Sequence, residues 1–195
     1  TGIVAPVPTA AAVLGPNAGT EIRRQSIEPV AAAGSEGTGC RLPNMALLRI
    51  PARFNGPPAS GNGGWSAGLL AGLLHDAPAV TVRLQSPPPL ETDLRSEARG
   101  DGSVAVLAGD VPVATVRTSE RLDSPVPEPV DHATAEAAGA AYEGLADHPF
   151  PTCFSCGTAR GDGLGLRPAR VAGRDDGAYA AAWTPTEAGP EVVWA

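Results

Sequence analysis

The segment Phe54-Asn-Gly-Pro-Pro-Ala-Ser-Gly-Asn-Gly-Gly-Trp-Ser-Ala-Gly-Leu-Leu-Ala-Gly-Leu-Leu74 runs from a rigid Pro/Gly loop straight into an apolar helix. The prolines fix φ and forbid helix over 55–61, so the helix is expected to begin at Gly63 and to last three turns, to Leu74. It is apolar on every side, and Gly68 and Gly72, four apart, leave one face without side chains. A helix of that kind is buried, and its bare face admits a close neighbour at a cost of about 1 kcal/mol per glycine in propensity. The pair Gly63-Gly64 at its mouth offers free backbone N–H groups to an anion or carbonyl.

A sheet to enclose this helix can be read on both sides of it. Ala46–Arg53 is a short strand upstream. Ala79–Gln85, Leu90–Arg99, Ser103–Ala108 and Val111–Thr118 follow downstream, separated by Pro87-Pro88-Pro89, Gly100-Asp101-Gly102 and Gly109-Asp110. These are hairpin-type turn signals, so the strands are expected to run antiparallel. Residues 1–45 show no sustained period and read as an Ala/Gly/Pro-rich linker or leader. Residues 121–147 are a linker followed by an alanine-rich helix over Asp131–Leu145, with Asp131 as its cap. Beyond a Cys/Gly/Pro loop at 148–165, Leu166–Val171 and Ala178–Thr184 are further strand candidates, and Pro190-Glu191 resembles the first turn of another helix.

Composition narrows the function. The 195 residues can bury one good core, with 43% hydrophobic content. All 14 basic residues are arginine, a pattern of GC-rich coding, and they are scattered in a chain of net charge -7. Nucleic acid is therefore excluded as a partner. No apolar run approaches the roughly 18–20 residues of a membrane span, no signal-peptide pattern opens the sequence, and three cysteines make no disulfide framework; the expectation is a soluble, cytoplasmic protein.

The loop and helix resemble the signature of hot-dog acyl-CoA thioesterases, where a glycine pair opens the central helix. Three stretches together resemble an uncharacterised actinobacterial thioesterase-like group: Phe54-Asn-Gly-Pro-Pro-x-Ser-Gly-Asn-Gly-Gly64, Arg83-Leu-x-x-Pro-Pro-Pro-Leu90 and His148-Pro-Phe-Pro-x-Cys-Phe-x-Cys-Gly157. The resemblance implies an α+β hot-dog unit over 46–120, and over 148–195 the start of a second, incomplete hot-dog-like half. It also implies an acyl thioester, of CoA or a carrier protein, as partner, with a homodimer or pseudo-dimer as the assembly. No cofactor is implied.

On this reading Gly63 and Gly64 hold the thioester oxyanion, Asn62 orients the carbonyl or a water, and Glu191 at the second helix mouth is a candidate catalytic carboxylate. Phe54, Asn55, Ser60, Trp65, Leu69 and Leu73 are the candidate substrate contacts. One departure matters: seven residues after the second glycine, where many such enzymes carry an acid, this chain has Ala71, and 63–74 contain no acid at all. A non-catalytic acyl-binding module and an enoyl-thioester hydratase are the alternatives.

Two further patterns compete less well. Gly61-x-Gly63 before a helix suggests a dinucleotide fingerprint, but Ser66 occupies the third glycine position and no acid ends the next strand. Cys153-Phe-Ser-Cys156 with His148 suggests zinc or a redox pair, yet local ligands number three at best, so no metal site is assigned and a structural loop with buried thiols is favoured. His75 and Asp76 end the central helix and read as structural.

Overall fold

In the computed structural model, residues 3–6, 48–121 and 128–184 are described, and all belong to one compact unit. Their elements are β1 (Ile3–Pro6), β2 (Leu48–Arg49), α1 (Gly63–Ala71), β3 (Ala79–Leu84), β4 (Asp93–Ala98), β5 (Val104–Ala108), β6 (Val111–Thr118), α2 (His132–Ala140), β7 (Ala169–Arg170) and β8 (Tyr179–Ala180). The first six strands form a strongly curled antiparallel sheet in the order β1-β3-β6-β5-β4-β2, and β7 and β8 form a separate ribbon. This α+β architecture is compatible with a hot-dog-like fold.

Its construction follows from the turns. Gly109 lies at φ 57, in the left-handed region at the head of the two-residue Gly109-Asp110 hairpin, and so lets β5 fold straight back as β6. α1 is followed by one 3-10 turn over Gly72–Leu74. The helix is buried by the curled sheet: Trp65, Ala67, Leu70 and Ala71 join Val80, Val82, Leu94, Val106, Val113 and Val116 in one core. Leu69 and Leu73 pack on the edge of that core, half-buried. Leu70 is fully enclosed and contributes about 1.5–3 kcal/mol by burial.

Three features differ from the expectation. Ile3–Pro6, inside the stretch read as linker, pairs with β3 from Ile3 opposite Val82 to Pro6 opposite Ala79. The first strand shrinks to Leu48–Arg49, because Pro51 starts a 3-10 turn over Ala52–Phe54 instead of continuing the ladder. The Cys/Gly/Pro loop shares the core of α1 and the sheet: Phe154 is fully buried in it and Leu164 lies beside it. The expected helix α2 is present with Asp131 as its cap, accepting from the Thr134 N–H at 2.8 Å, but its regular part stops at Ala140.

Candidate functional site at the mouth of the central helix

The loop before α1 folds on itself before the helix starts. Asn55 and Gly61 bridge as a minimal antiparallel pair, the Gly56 N–H donates to the Ser60 carbonyl at 3.0 Å, and the Asn62 N–H to the Phe54 carbonyl at 2.7 Å. Gly61 donates to the Pro88 carbonyl at 2.8 Å, tying the loop to the Pro-rich turn before β4. A Cβ on Gly61 would lie 2.6 Å from Ser66 Oγ and 3.1 Å from Ile50 Cγ2, so only glycine lets loop and helix approach this closely.

Asn62 is the N-cap. Its Oδ1 accepts from the Trp65 N–H at 2.9 Å, while its Nδ2 donates to Ser155 Oγ at 2.8 Å and toward Cys153 Sγ at 3.6 Å. The amide is buried and both of its ends are engaged, so it organises the helix mouth and the cysteine loop together. Gly63 and Gly64 follow, half-buried; among the described residues neither N–H has a hydrogen-bond partner. They are the free donors of the first turn, at the positive end of the helix dipole.

The remaining expected contacts surround this mouth. Phe54 stacks on Trp65 with ring centroids 3.9 Å apart and meets Phe154 edge-on at 4.8 Å. The Arg53 and Arg160 guanidiniums lie over the Phe154 ring at 5.9 and 5.5 Å. Asn55 is buried and fully used: Nδ2 donates to the Gly56 carbonyl and Thr152 Oγ1, Oδ1 accepts from Arg160, and its backbone carbonyl accepts from the Phe154 N–H at 2.8 Å. Ser60 is buried, with Oγ donating to the Gly61 carbonyl at 3.3 Å. Asn55, Ser60 and Asn62 thus hold the scaffold of the mouth, and Leu69 on α1 and Leu73 on the 3-10 turn after it lie farther along the chain. Glu191 lies outside the described residues.

Thr152, Phe154, Ser155 and Arg160 complete this frame, and their roles were not foreseen. Only the dense Cys/Gly/Pro motif around them marked the segment in the sequence. The two thiols within it are unequal. Burial pushes the Cys153 thiol up, but the N–H of Cys156, the Cys156 thiol, the N–H of Ser155 and the Asn62 amide together bring it below the ordinary value of 9.0. Cys156 is pushed up, first by burial and then by the shared proton and charge of Cys153, with Tyr142 opposing. Tyr142 Oη lies 3.1 Å from His148 Nε2, and His148 Nδ1 accepts from the Phe150 N–H, so both ring nitrogens are occupied.

Among the described residues no group of three or more His, Cys, Asp and Glu could hold a metal ion, and no helix is long and apolar enough to cross a membrane. No protein-family model, curated protein or solved structure matches the chain.

Proposed function

We propose that the chain is a thioesterase-like protein that binds the acyl thioester of CoA or of a carrier protein, with the thioester oxygen at the N–H groups of Gly63 and Gly64. The observation that carries this reading is that pair of unpartnered amides at the mouth of a buried apolar helix. As the carbonyl oxygen becomes negative, fixed donors and the helix dipole stabilise it, each donor being worth about 2.7–4 kcal/mol in the transition state. The half-buried Leu69 and Leu73 give the acyl chain an apolar track, at about 0.8 kcal/mol per buried methylene. The reading takes the fold as a hot-dog unit, completed by a second half or a second copy.

Hydrolysis also requires a base to activate water. α1 carries none, so on this reading the base comes from the second half, with Glu191 the candidate, from residues beyond Ala195 or from a partner subunit. The second reading, a non-catalytic acyl-binding module, is favoured by Ala71 standing at the usual acid position and by the full engagement of the Asn62 amide.

Thiol release across a series of acyl-CoA chain lengths, paired with equilibrium binding, separates the two: turnover supports the hydrolase, and binding without turnover the module. Gly64→Val discriminates further. With an oxyanion site it abolishes turnover in a folded protein; with a purely architectural glycine, activity falls only with the folded fraction. Full specific activity in folded Gly64→Val removes the oxyanion assignment.

A further inference from the structure

We propose that Cys153 and Cys156 are a reversible redox pair that closes to an intramolecular disulfide on reaction with a peroxide. The geometry is that of two thiols carried on one tight turn. Cys153 and Cys156 flank a tight turn in which the Gly157 N–H donates to the Cys153 carbonyl at 2.8 Å, and Asn62 Nδ2 donates toward the Cys153 sulfur at 3.6 Å. Both cysteines are free. The described residues offer them no third metal-binding side chain, and His148 is spent on Tyr142 and on the Phe150 backbone.

The two sulfurs have different tasks. Cys153 is enclosed, 6% exposed, with Asn62 Nδ2 3.6 Å from its sulfur, and the N–H groups of Cys156 and Ser155 and the Cys156 thiol add to the pull that lowers its pKa. These neighbours favour the thiolate, the nucleophilic form, and bring the thiol below its ordinary value against the opposing effect of burial. The Cys153 thiolate attacks one peroxide oxygen; an S–O bond forms, the O–O bond breaks, and hydroxide leaves to become water on taking a proton. The half-buried Cys156 then attacks the Cys153 sulfur. The S–S bond forms, the S–O bond breaks, and hydroxide leaves with the Cys156 proton as a second water. The dithiol loses two electrons and the peroxide gains them.

Closure would be felt at the helix mouth. Asn62 reaches the Cys153 sulfur from the N-cap of α1, so loss of the thiolate leaves its Nδ2 with Ser155 Oγ as the remaining acceptor. The thiol state is thereby linked to the cap that orders Gly63 and Gly64.

The test uses the reduced full chain, treated with hydrogen peroxide, quenched with an alkylating reagent and mapped by peptide mass. The expected result is joint protection of both thiols, a Cys153–Cys156 cross-link lighter by two hydrogens, and full reversal by dithiothreitol. In Cys156→Ser the reaction should stop at a sulfenic acid on Cys153 that dimedone traps. Asn62→Ala should slow that trapping relative to the Cys156→Ser parent, since it removes the amide that reaches the Cys153 sulfur. Thiols that stay free under peroxide, a cross-link through Cys40, or stoichiometric zinc that shields both sulfurs would each overturn the proposal. Oxidation of Cys153→Ser at the wild-type rate would overturn the assignment of Cys153 as the attacking sulfur.

Discussion

Replacing Phe154 by alanine measures how firmly the cysteine loop is built into the sheet. The ring is 0% exposed, meets the Phe54 ring edge-on at 4.8 Å and carries the Arg160 guanidinium 5.5 Å above it. Truncating a fully buried phenylalanine typically costs about 3–5 kcal/mol, of which the aromatic pair supplies roughly 0.5–1.5. For a chain of this size each kcal/mol moves the melting temperature by about 2–4 °C, so Phe154→Ala should melt roughly 6–20 °C lower than the parent. Phe150→Ala, four residues earlier and 41% exposed, is the control and should stay within about 1 kcal/mol. Thermal melts followed by circular dichroism at two wavelengths, with urea titrations alongside, give both values. A Phe154→Ala midpoint within about 2 °C of the parent, or a loop that melts in a separate transition while the sheet persists, would refute the single shared core.

Other outcomes follow from the same geometry. A Cβ on Gly157 would lie 2.5 Å from the carbonyl oxygens of Pro151 and Cys153, so Gly157→Ala should force the turn open and speed thiol alkylation under native conditions. Asn62→Ala loses an N-cap worth about 0.5–2 kcal/mol and the buried hydrogen bond to Ser155, about 2–4 kcal/mol together in urea titrations, whereas Asn62→Ser should recover the cap share. Glu91 accepts from the Ala52 N–H and from Arg49, which hold its carboxyl below the ordinary 4.5. Its stabilisation is therefore complete above pH 4.5 and is lost as pH falls through the lowered value. In melts from pH 7 to 3, the gap between the parent and Glu91→Gln should be constant at the upper end and close at the lower.

The parts of the fold legible in the sequence are those fixed by local chemistry. The two prolines and paired glycines of 55–64 start α1 where the helix begins, the hairpin glycines set β5 and β6, and β6 spans Val111–Thr118 as read. Asp131 caps α2 because an aspartate before an alanine-rich run has an amide to accept from within three residues. What escaped the reading depends on partners far along the chain. Ile3–Pro6 is too short and too plain a run to announce a strand, and its pairing exists only because β3 presents an open edge. Asn62 carries the signature of a cap, but nothing local says that its Nδ2 is taken by Ser155 and Cys153. Phe154 sits among Pro, Gly and Cys, a context that signals surface loop, and its burial follows from the backbone bond to Asn55.

That weld between residues near 55 and residues near 154 also sets an order of events on the ribosome. Strands β2 to β6 and α1 are complete once Thr118 has been made, and β4, β5 and β6 follow one another as antiparallel neighbours. The aromatic plug arrives with Phe154 and is closed off by Leu164, which donates its N–H to the Phe154 carbonyl at 2.8 Å. At about 5–20 residues per second, synthesis from Thr118 to Leu164 takes roughly 2–9 s. For that interval the nascent sheet holds α1 with the Phe54–Trp65 face open to water, a window in which holdase chaperones compete with self-association. A chain broken off shortly after β6 would remain in that state permanently, which makes the last third of the described chain a guarantor of solubility for the first two.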